Sequence, residues 1–407
     1  MPEAVITGLG PVAPNGIGKD VFWKAISSGK SGIRAISKFD TANYSCKIAG
    51  EVLPEWYEKI LRELPEWLPD SKACKFSVLA AKLALEDAGL TPEEVGKRKS
   101  AVYMGVSSQD MEVIQREYNN QVENGVTSPG FLASGFPHIP ALIISHFLKS
   151  FENVVTISTT CTSAVNCIYY AANMINNGEV DIAIVGGVDT AITPLVMSGF
   201  CSAGLVSTKY NNTPQKASRP FDQDRDGGIL SEGAGIVILE EKKHAQRRKS
   251  QIYASFAGGG LSTAMSPSWM KSSMQDAMSK ALNGACLKTN QIDYISASAP
   301  GDVMIDQVET EAIKGLFGTN AYNIPISSIK SMIGNPGAAA GLFQVITTAL
   351  SIKCKYIPPT VNLEQAGDKC DLDFVPIKGR VARVNRVMVN MRGFGGGFTS
   401  LIFNSSD

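Results

Sequence analysis

Short β-branched runs alternate with stretches of helical spacing along this chain, and that alternation leaves few folds open. AVITGLG near the start, SAVYMGVSS (100–108), VVTIST (154–159), VDIAIVGG (180–187) and GIVILEE (235–241) each read as a strand buried on both faces. Between them, KFSVLAAKLALEDAGL (75–90) runs into a Gly stop, and TSAVNCIYYAANMINNGE (162–179) is closed by Asn-Asn-Gly. Strand and helix in turn predict an α/β chain with a largely parallel sheet.

After the charged stretch EEKKHAQRRKSQ (240–251) the pattern begins again, with QIYASFAGGG, the helix SSMQDAMSKALNGA (272–285), DYISAS (293–298), IPISS (324–328) and the helix AAAGLFQVITTALSIK (338–353). The chain closes on RVMVNMRGFGGGFTSLIFN, two apolar runs around a Gly-rich turn. At 407 residues the chain exceeds the size at which a single core stops growing. The expectation is two pseudo-duplicated halves, 1–245 and 246–407, packed closely together.

Lys+Arg and Asp+Glu both total 38, which leaves no net field to attract nucleic acid or an acidic membrane surface. The opening MPEAVITGLGPVAPNG lacks a basic segment followed by an unbroken apolar one, and no charge-free apolar window of about 18 residues stands out later. A cytoplasmic protein without membrane insertion is expected. The eight cysteines show neither pairing logic nor CxxC spacing, so neither a disulfide framework nor a metal site is expected. Histidine is scarce: His138, His146 and His244 are all there are, which limits imidazole acid/base chemistry. His138 and His146 fall in a partly apolar helical stretch, where packing is the expected role.

VVTISTTCTSA (154–164) sets Cys161 where a buried strand gives way to a helix, beside free backbone N–H groups and the positive end of a helix dipole, a setting that favours a thiolate. A lone cysteine in such a place is more often a buried filler, like Cys167 a few residues on. The surrounding text decides otherwise. From VDIAIVGGVDTAITPLVMSGFCSAGLVSTKYNNTPQKASRPFDQDRDGGILSEGAGIVILEE through SSIKSMIGNPGAAAG to the terminal GFGGG, with VITGLGPVAPNGIG at the start, the chain resembles the elongating β-ketoacyl-carrier-protein synthases over its whole length.

That resemblance implies a thiolase-like αβαβα sandwich, normally dimeric. Such proteins take acyl chains from acyl carrier protein onto the cysteine, then decarboxylate malonyl-carrier-protein and condense it with the bound chain. It implies no cofactor beyond the carrier's phosphopantetheine arm. It places the oxyanion hole at the backbone N–H groups of Cys161 and Phe394, with the neighbouring Gly395 and Gly396 letting the backbone approach a substrate. Lys330, Asp306 and Glu309 match a polar network beside the catalytic groups, a pattern that a purely structural ion-pair network would also produce. Phe200 and Phe394 map near gating aromatics, Lys209 maps to a carrier-docking position, and Lys72 and Lys75 add basic charge to it; solvated surface lysines are the alternative.

The pattern breaks where this branch carries two histidines, in xHGTxTxxxD and KSxxGHxxGAAG segments. Aligned through Asp306 and Glu309, YISASAPGDVMIDQVE (294–309) puts Ser298 at the first, with Pro300 and Asp302 in place of two threonines that usually bind the pantetheine arm. Asn335 stands at the second, as in the Cys-His-Asn sets of initiating synthases, and its amide can still donate to a thioester oxygen. Ser298 cannot take up a proton near neutral pH, and losing a positioned acid/base typically costs about 10²–10⁴-fold. Gln344, Phe398 and a short AMSPS loop (264–268) are further departures around the same region. The expectation is an enzyme acylated on Cys161 with impaired or altered malonyl decarboxylation. A chain-length-factor-like, non-catalytic partner in a heterodimer, and an acyl transfer that needs no decarboxylation, remain the alternatives.

Overall fold

The computed structural model describes residues 2–108, 110–150 and 152–406. Ten strands carry the architecture. The first five are β1 (Ala4–Ala13), β2 (Ser100–Val106), β3 (Asn153–Ile157), β4 (Ile182–Asp189) and β5 (Gly233–Glu241). Helix α1 (Lys72–Ala88) precedes β2, α2 (Ser163–Asn176) follows β3, and α3 (Pro194–Ser202) follows β4. The second five are β6 (Ala254–Thr263), β7 (Tyr294–Ser296), β8 (Ile326–Ser327), β9 (Arg386–Arg392) and β10 (Gly397–Asn404). With them come α4 (Met270–Gly284), α5 (Val303–Phe317) and α6 (Ala340–Cys354).

The strands join one 11-stranded sheet in the order β8-β7-β9-β10-β6-β1-β5-β4-β2-β3, with the short strand Gly16–Ile17 paired to β1 off this path. Each half repeats one order: third, second, fourth, fifth, first. The seam is a short antiparallel pairing, Val5 with Ser255 and Ile6 with Ala254.

The sheet is mixed rather than largely parallel. β2 runs parallel to β3 and β4, and β7 parallel to β8 and β9, but the middle of the sheet is antiparallel. Part of the reason is local. β9 and β10 are joined by Gly393–Gly396 alone, and a connection that short can only reverse the chain.

Strand parity sorts residues between layers. In β4, Ile182 and Ile184 enter one apolar cluster with α1, whereas Ala183 and Val185 enter another with α2 and α6. On the far side α4 and α5 cover the second half of the sheet. Three helical layers thus alternate with the two halves of this one sheet, and α2 and α6 form the middle one.

That central position explains α6, which is buried on nearly every side and so lacks a polar stripe. The segment Gly337–Cys354 is long and apolar enough to cross a membrane by composition, which the sequence reading did not anticipate, but 83% of it is buried inside the protein. Each large apolar side chain it fully buries contributes about 1.5–3 kcal/mol.

Candidate active site

Cys161 stands at the turn from β3 into α2, in the middle layer. Thr160, just before it, has φ 57, a left-handed conformation that a β-branched residue adopts only when its surroundings impose it. Side chains from the first turn of α2 do so. Ser163 Oγ accepts from Thr159 N at 2.9 Å and donates to Thr160 O at 2.6 Å, while Thr162 Oγ1 donates to Thr159 O at 2.6 Å. Gly105 of β2 lets this turn approach, because a Cβ there would lie 2.5 Å from Ala164 N.

The Gly-rich turn between β9 and β10 closes over the elbow. Thr160 Oγ1 donates to Phe394 O at 3.0 Å, and among the described residues no group accepts from the Phe394 backbone N–H. Gly393 is required by contact: a Cβ there would meet Thr160 Oγ1 at 2.4 Å. A second link runs deeper, where Asn166 Nδ2 donates to Thr159 Oγ1 at 2.9 Å and its Oδ1 accepts from Thr399 Oγ1 at 2.6 Å.

Around the thiol lies a cavity of about 490 Å³ that brings together Cys161, Ser298, Lys330, Asn335, Arg392 and Phe394. Pro300, Asp302 and Phe200 of α3 line it as well, and its lining is mostly apolar. Asn335 Nδ2 sits 3.6 Å from Cys161 Sγ, close enough to donate to sulfur. The Asn335 backbone N–H is anchored on Ile229 O at 2.8 Å, whereas its buried Oδ1 has no partner among the described residues. Ser298 Oγ accepts from Arg392 N at 2.9 Å and, among the described residues, otherwise meets only Met391 Sδ, at 3.8 Å. Its role in the fold is thus to hold the start of the Gly-rich turn. No histidine lines the cavity: His146 packs edge-on against Trp67 with ring centroids 4.4 Å apart, His138 lies 5.9 Å from Phe136, and buried His244 approaches Glu240 at 2.5 Å.

Asp306 and Glu309 lie outside the cavity wall, on the buried face of α5. Glu309 accepts from Ser298 N and Ala299 N, both at 2.9 Å, and Asp306 accepts from Phe221 N at 2.9 Å and Gly301 N at 3.3 Å. They therefore position the 298–301 loop. Complete burial pushes both carboxyls up to about 7, despite these N–H donors and the opposing charges of Arg225 near Asp306 and Lys330 near Glu309. Gln344 braces the same loop from α6, donating to Ala297 O at 2.7 Å. Asp302 caps α5 by accepting from Ile305 N at 2.9 Å.

Two cationic residues, Lys330 and Arg392, share the cavity lining with Cys161. Burial lowers the Lys330 ammonium from its ordinary range, against the opposing pull of Cys161 and Glu309. Burial lowers the Arg392 guanidinium likewise, with Cys161 and Asp302 opposing. Sequence reasoning missed Arg392. The available signal was a charge at the end of an apolar run, directly before GFGGG.

Four expected residues stand elsewhere. Phe398 faces the core under α4, among Met270 and Phe221, because its place on β10 turns it away from the cavity. Gly395 and Gly396 shape the turn at φ 91 and 96 without lining the cavity. Lys72 is not offered to a partner: its Nζ is held 2.7 Å from the fully buried Glu232, which also binds Lys38 at 2.6 Å. Lys75 pairs with Asp70 at 2.7 Å, and Lys209 is exposed, its backbone N–H on Asp226 Oδ2 at 3.0 Å.

A five-layered sandwich with a cysteine elbow at its centre defines a protein of thiolase-like fold. Residues 1–245 match the family model described as beta-ketoacyl synthase, N-terminal domain, and residues 251–364 the model for its C-terminal domain. The chain belongs to the beta-ketoacyl synthase family. It is 34% identical over 408 residues to 3-oxoacyl-(acyl-carrier-protein) synthase 2 of Coxiella burnetii, covering 99% of this chain and 98% of that one. Among solved structures it is similar to the ishigamide ketosynthase/chain length factor, at 28% identity and a TM-score of 0.92 over 100% of both chains. It also resembles a type II polyketide synthase ketosynthase solved with its acyl-carrier protein and bound to the hexaketide, at 28% identity and a TM-score of 0.91 over 99% of both chains.

Proposed function

We propose that this protein takes an acyl chain from acyl carrier protein onto Cys161, in fatty-acid or polyketide synthesis, with malonyl decarboxylation slowed or altered. The carrying observation is Asn335 Nδ2 at 3.6 Å from Cys161 Sγ in a cavity lined by no histidine. Loading needs little more than the elbow. The thiolate attacks the thioester carbonyl, the backbone N–H groups of Cys161 and Phe394 receive the oxyanion, and the C–S bond to the pantetheine arm breaks as the arm leaves as a thiolate. The phosphopantetheine arm arrives with the carrier as substrate, and no other cofactor enters this reading. Expelling CO2 from a malonyl donor leaves an enolate, which Asn335 can meet with one N–H but no group in the cavity meets as imidazolium. Loading and condensation are therefore separated in rate.

Intact-mass spectra after incubation with a hexanoyl-carrier-protein thioester test this. A hexanoyl adduct lost on Cys161→Ala is the expected result, and its absence from the wild type would exclude acyl loading.

A second reading is a partner that shapes the acyl tunnel of another synthase subunit, and likeness to a ketosynthase/chain length factor favours it. The edge strand β3 favours partnership of either kind, since Val154, Val155 and Ile157 are only partly buried and no charge or proline guards the strand. Purification alone as a stable homodimer that turns over thioesters would rule out the obligate heterodimer.

A further inference from the structure

Asp189, the last residue of β4, is buried, yet it lines the cavity with Cys161 and Asn335. Its carboxylate ties the end of its own strand to two other segments. From just beyond β2, Ser107 Oγ donates to its Oδ2, and Ser108 donates to its Oδ1 through both Oγ and N, the latter at 2.9 Å. From the approach to α6, Ala338 N donates to Oδ2 at 2.5 Å. Gly337 is required beside it, for its φ is 50 and a Cβ there would lie 2.0 Å from Asp189 Oδ2. Burial pushes the carboxyl up, and these donors pull the other way.

The tie to Ala338 matters because Asn335 lies three residues before it. The segment is held at its start by the bond from Asn335 N to Ile229 O, and among the described residues Asp189 is the only side chain that accepts from the backbone of 335–339. Between the two anchors the ring of Pro336 fixes one dihedral and Gly337 turns left-handed. Little freedom is left to the Asn335 side chain, whose Nδ2 stands 3.6 Å from Cys161 Sγ. Releasing the second anchor frees the amide to leave the sulfur.

We propose that Asp189 is a positioning residue of this site: by fixing Ala338 to the ends of β2 and β4, it keeps the Asn335 amide on the Cys161 sulfur. The inference rests on the reading of Cys161 as the reacting thiol and adds a residue that acts on it through Asn335. An N–H aimed at sulfur favours the thiolate, the form that attacks an electrophile, so a displaced amide shows as a slower thiol.

Alkylation of Cys161 by iodoacetamide at pH 7, followed by peptide mass with the exposed Cys286 of the same chain as reference, tests this. Asn335→Ala should slow Cys161 relative to Cys286 by about 3- to 10-fold, Asp189→Ala should do the same, and the double variant should be no slower than Asn335→Ala alone. Gly337→Ala, which drives a methyl group into the carboxylate, carries the same expectation and replaces Asp189→Ala if that protein does not fold. In the wild type, hydrogen exchange should find the Ala338 amide protected, and exchange there at the free-peptide rate overturns the proposal without any variant. A wild-type alkylation ratio in folded Asp189→Ala, or in Asn335→Ala, overturns it too. So do losses that add in the double variant, which would show Asp189 acting apart from Asn335. Hexanoyl loading of the wild type, measured separately, reports on acyl transfer. Coupling of Asp189 to Asn335 without loading supports the positioning role and sinks acyl transfer, and loading without coupling does the reverse.

Discussion

The Asn335 side-chain nitrogen lies 3.6 Å from Cys161 Sγ, so an amide occupies the place beside the nucleophile from which an acid/base group would act. The amide can donate but cannot accept a proton from the thiol and return it. Asn335→His should therefore raise CO2 release from malonyl-carrier-protein by about 10-fold or more. Radiolabelled CO2 trapping reads this directly, and an unchanged rate in a folded variant would show that imidazole at this position is not what limits the reaction.

Gly393→Ala would drive a methyl group to 2.4 Å from Thr160 Oγ1. The turn must move, carrying the Phe394 N–H out of line and costing about 1–3 kcal/mol in stability. The expected outcome is a lower Tm together with at least about a 10-fold fall in the rate of Cys161 acylation, since one oxyanion donor is displaced. Loss of stability alone, with the loading rate intact, would separate the turn from the chemistry.

Asp306 and Glu309 titrate near 7 in the fold but near 3.8 and 4.5 when unfolded. Between about pH 4 and 7 the native state therefore holds protons that the unfolded chain has released, and stability from these groups is present below that window and lost as pH rises through it. Thermal melts should show Tm falling as pH goes from about 5 to 7.5, with a flatter profile in Glu309→Gln. Parallel profiles in the two proteins would mean that Glu309 is already ionised at pH 5.

Lys72 and Lys209 should answer to different assays. Glu232, wholly buried, binds both Lys38 and Lys72, so Glu232→Ala strands two lysines and should cost about 3–5 kcal/mol in chemical denaturation. Lys209→Glu should leave stability alone and slow association with acyl carrier protein by about 2- to 10-fold at low salt. An unchanged association rate would remove Lys209 from the docking surface.

Much of this was legible before any coordinates. The helix over 163–176 ends at the expected Asn-Asn-Gly, with Gly178 at φ 74, and the turn 393–396 joins two apolar strands as read. Cys161, Ser298, Asn335, Lys330, Pro300 and Asp302, which are scattered over the chain, do meet in one cavity. Phe398 and Lys72 were misplaced for different reasons. Both faces of β10 are buried, so hydrophobicity carries no record of which face a residue takes. Lys72 looks like any surface lysine until Glu232, 160 residues away, is folded against it.

Strands, helices, the elbow and the glycine turn are local matters, set by side-chain period, β-branching and backbone freedom, and the sequence by itself determined them. Tertiary structure decided which strand neighbours which, which carboxylates lose their water, and that Arg392 joins Cys161 in one cavity. Those outcomes depend on distance and desolvation between residues far apart in the chain, and no local pattern encodes either.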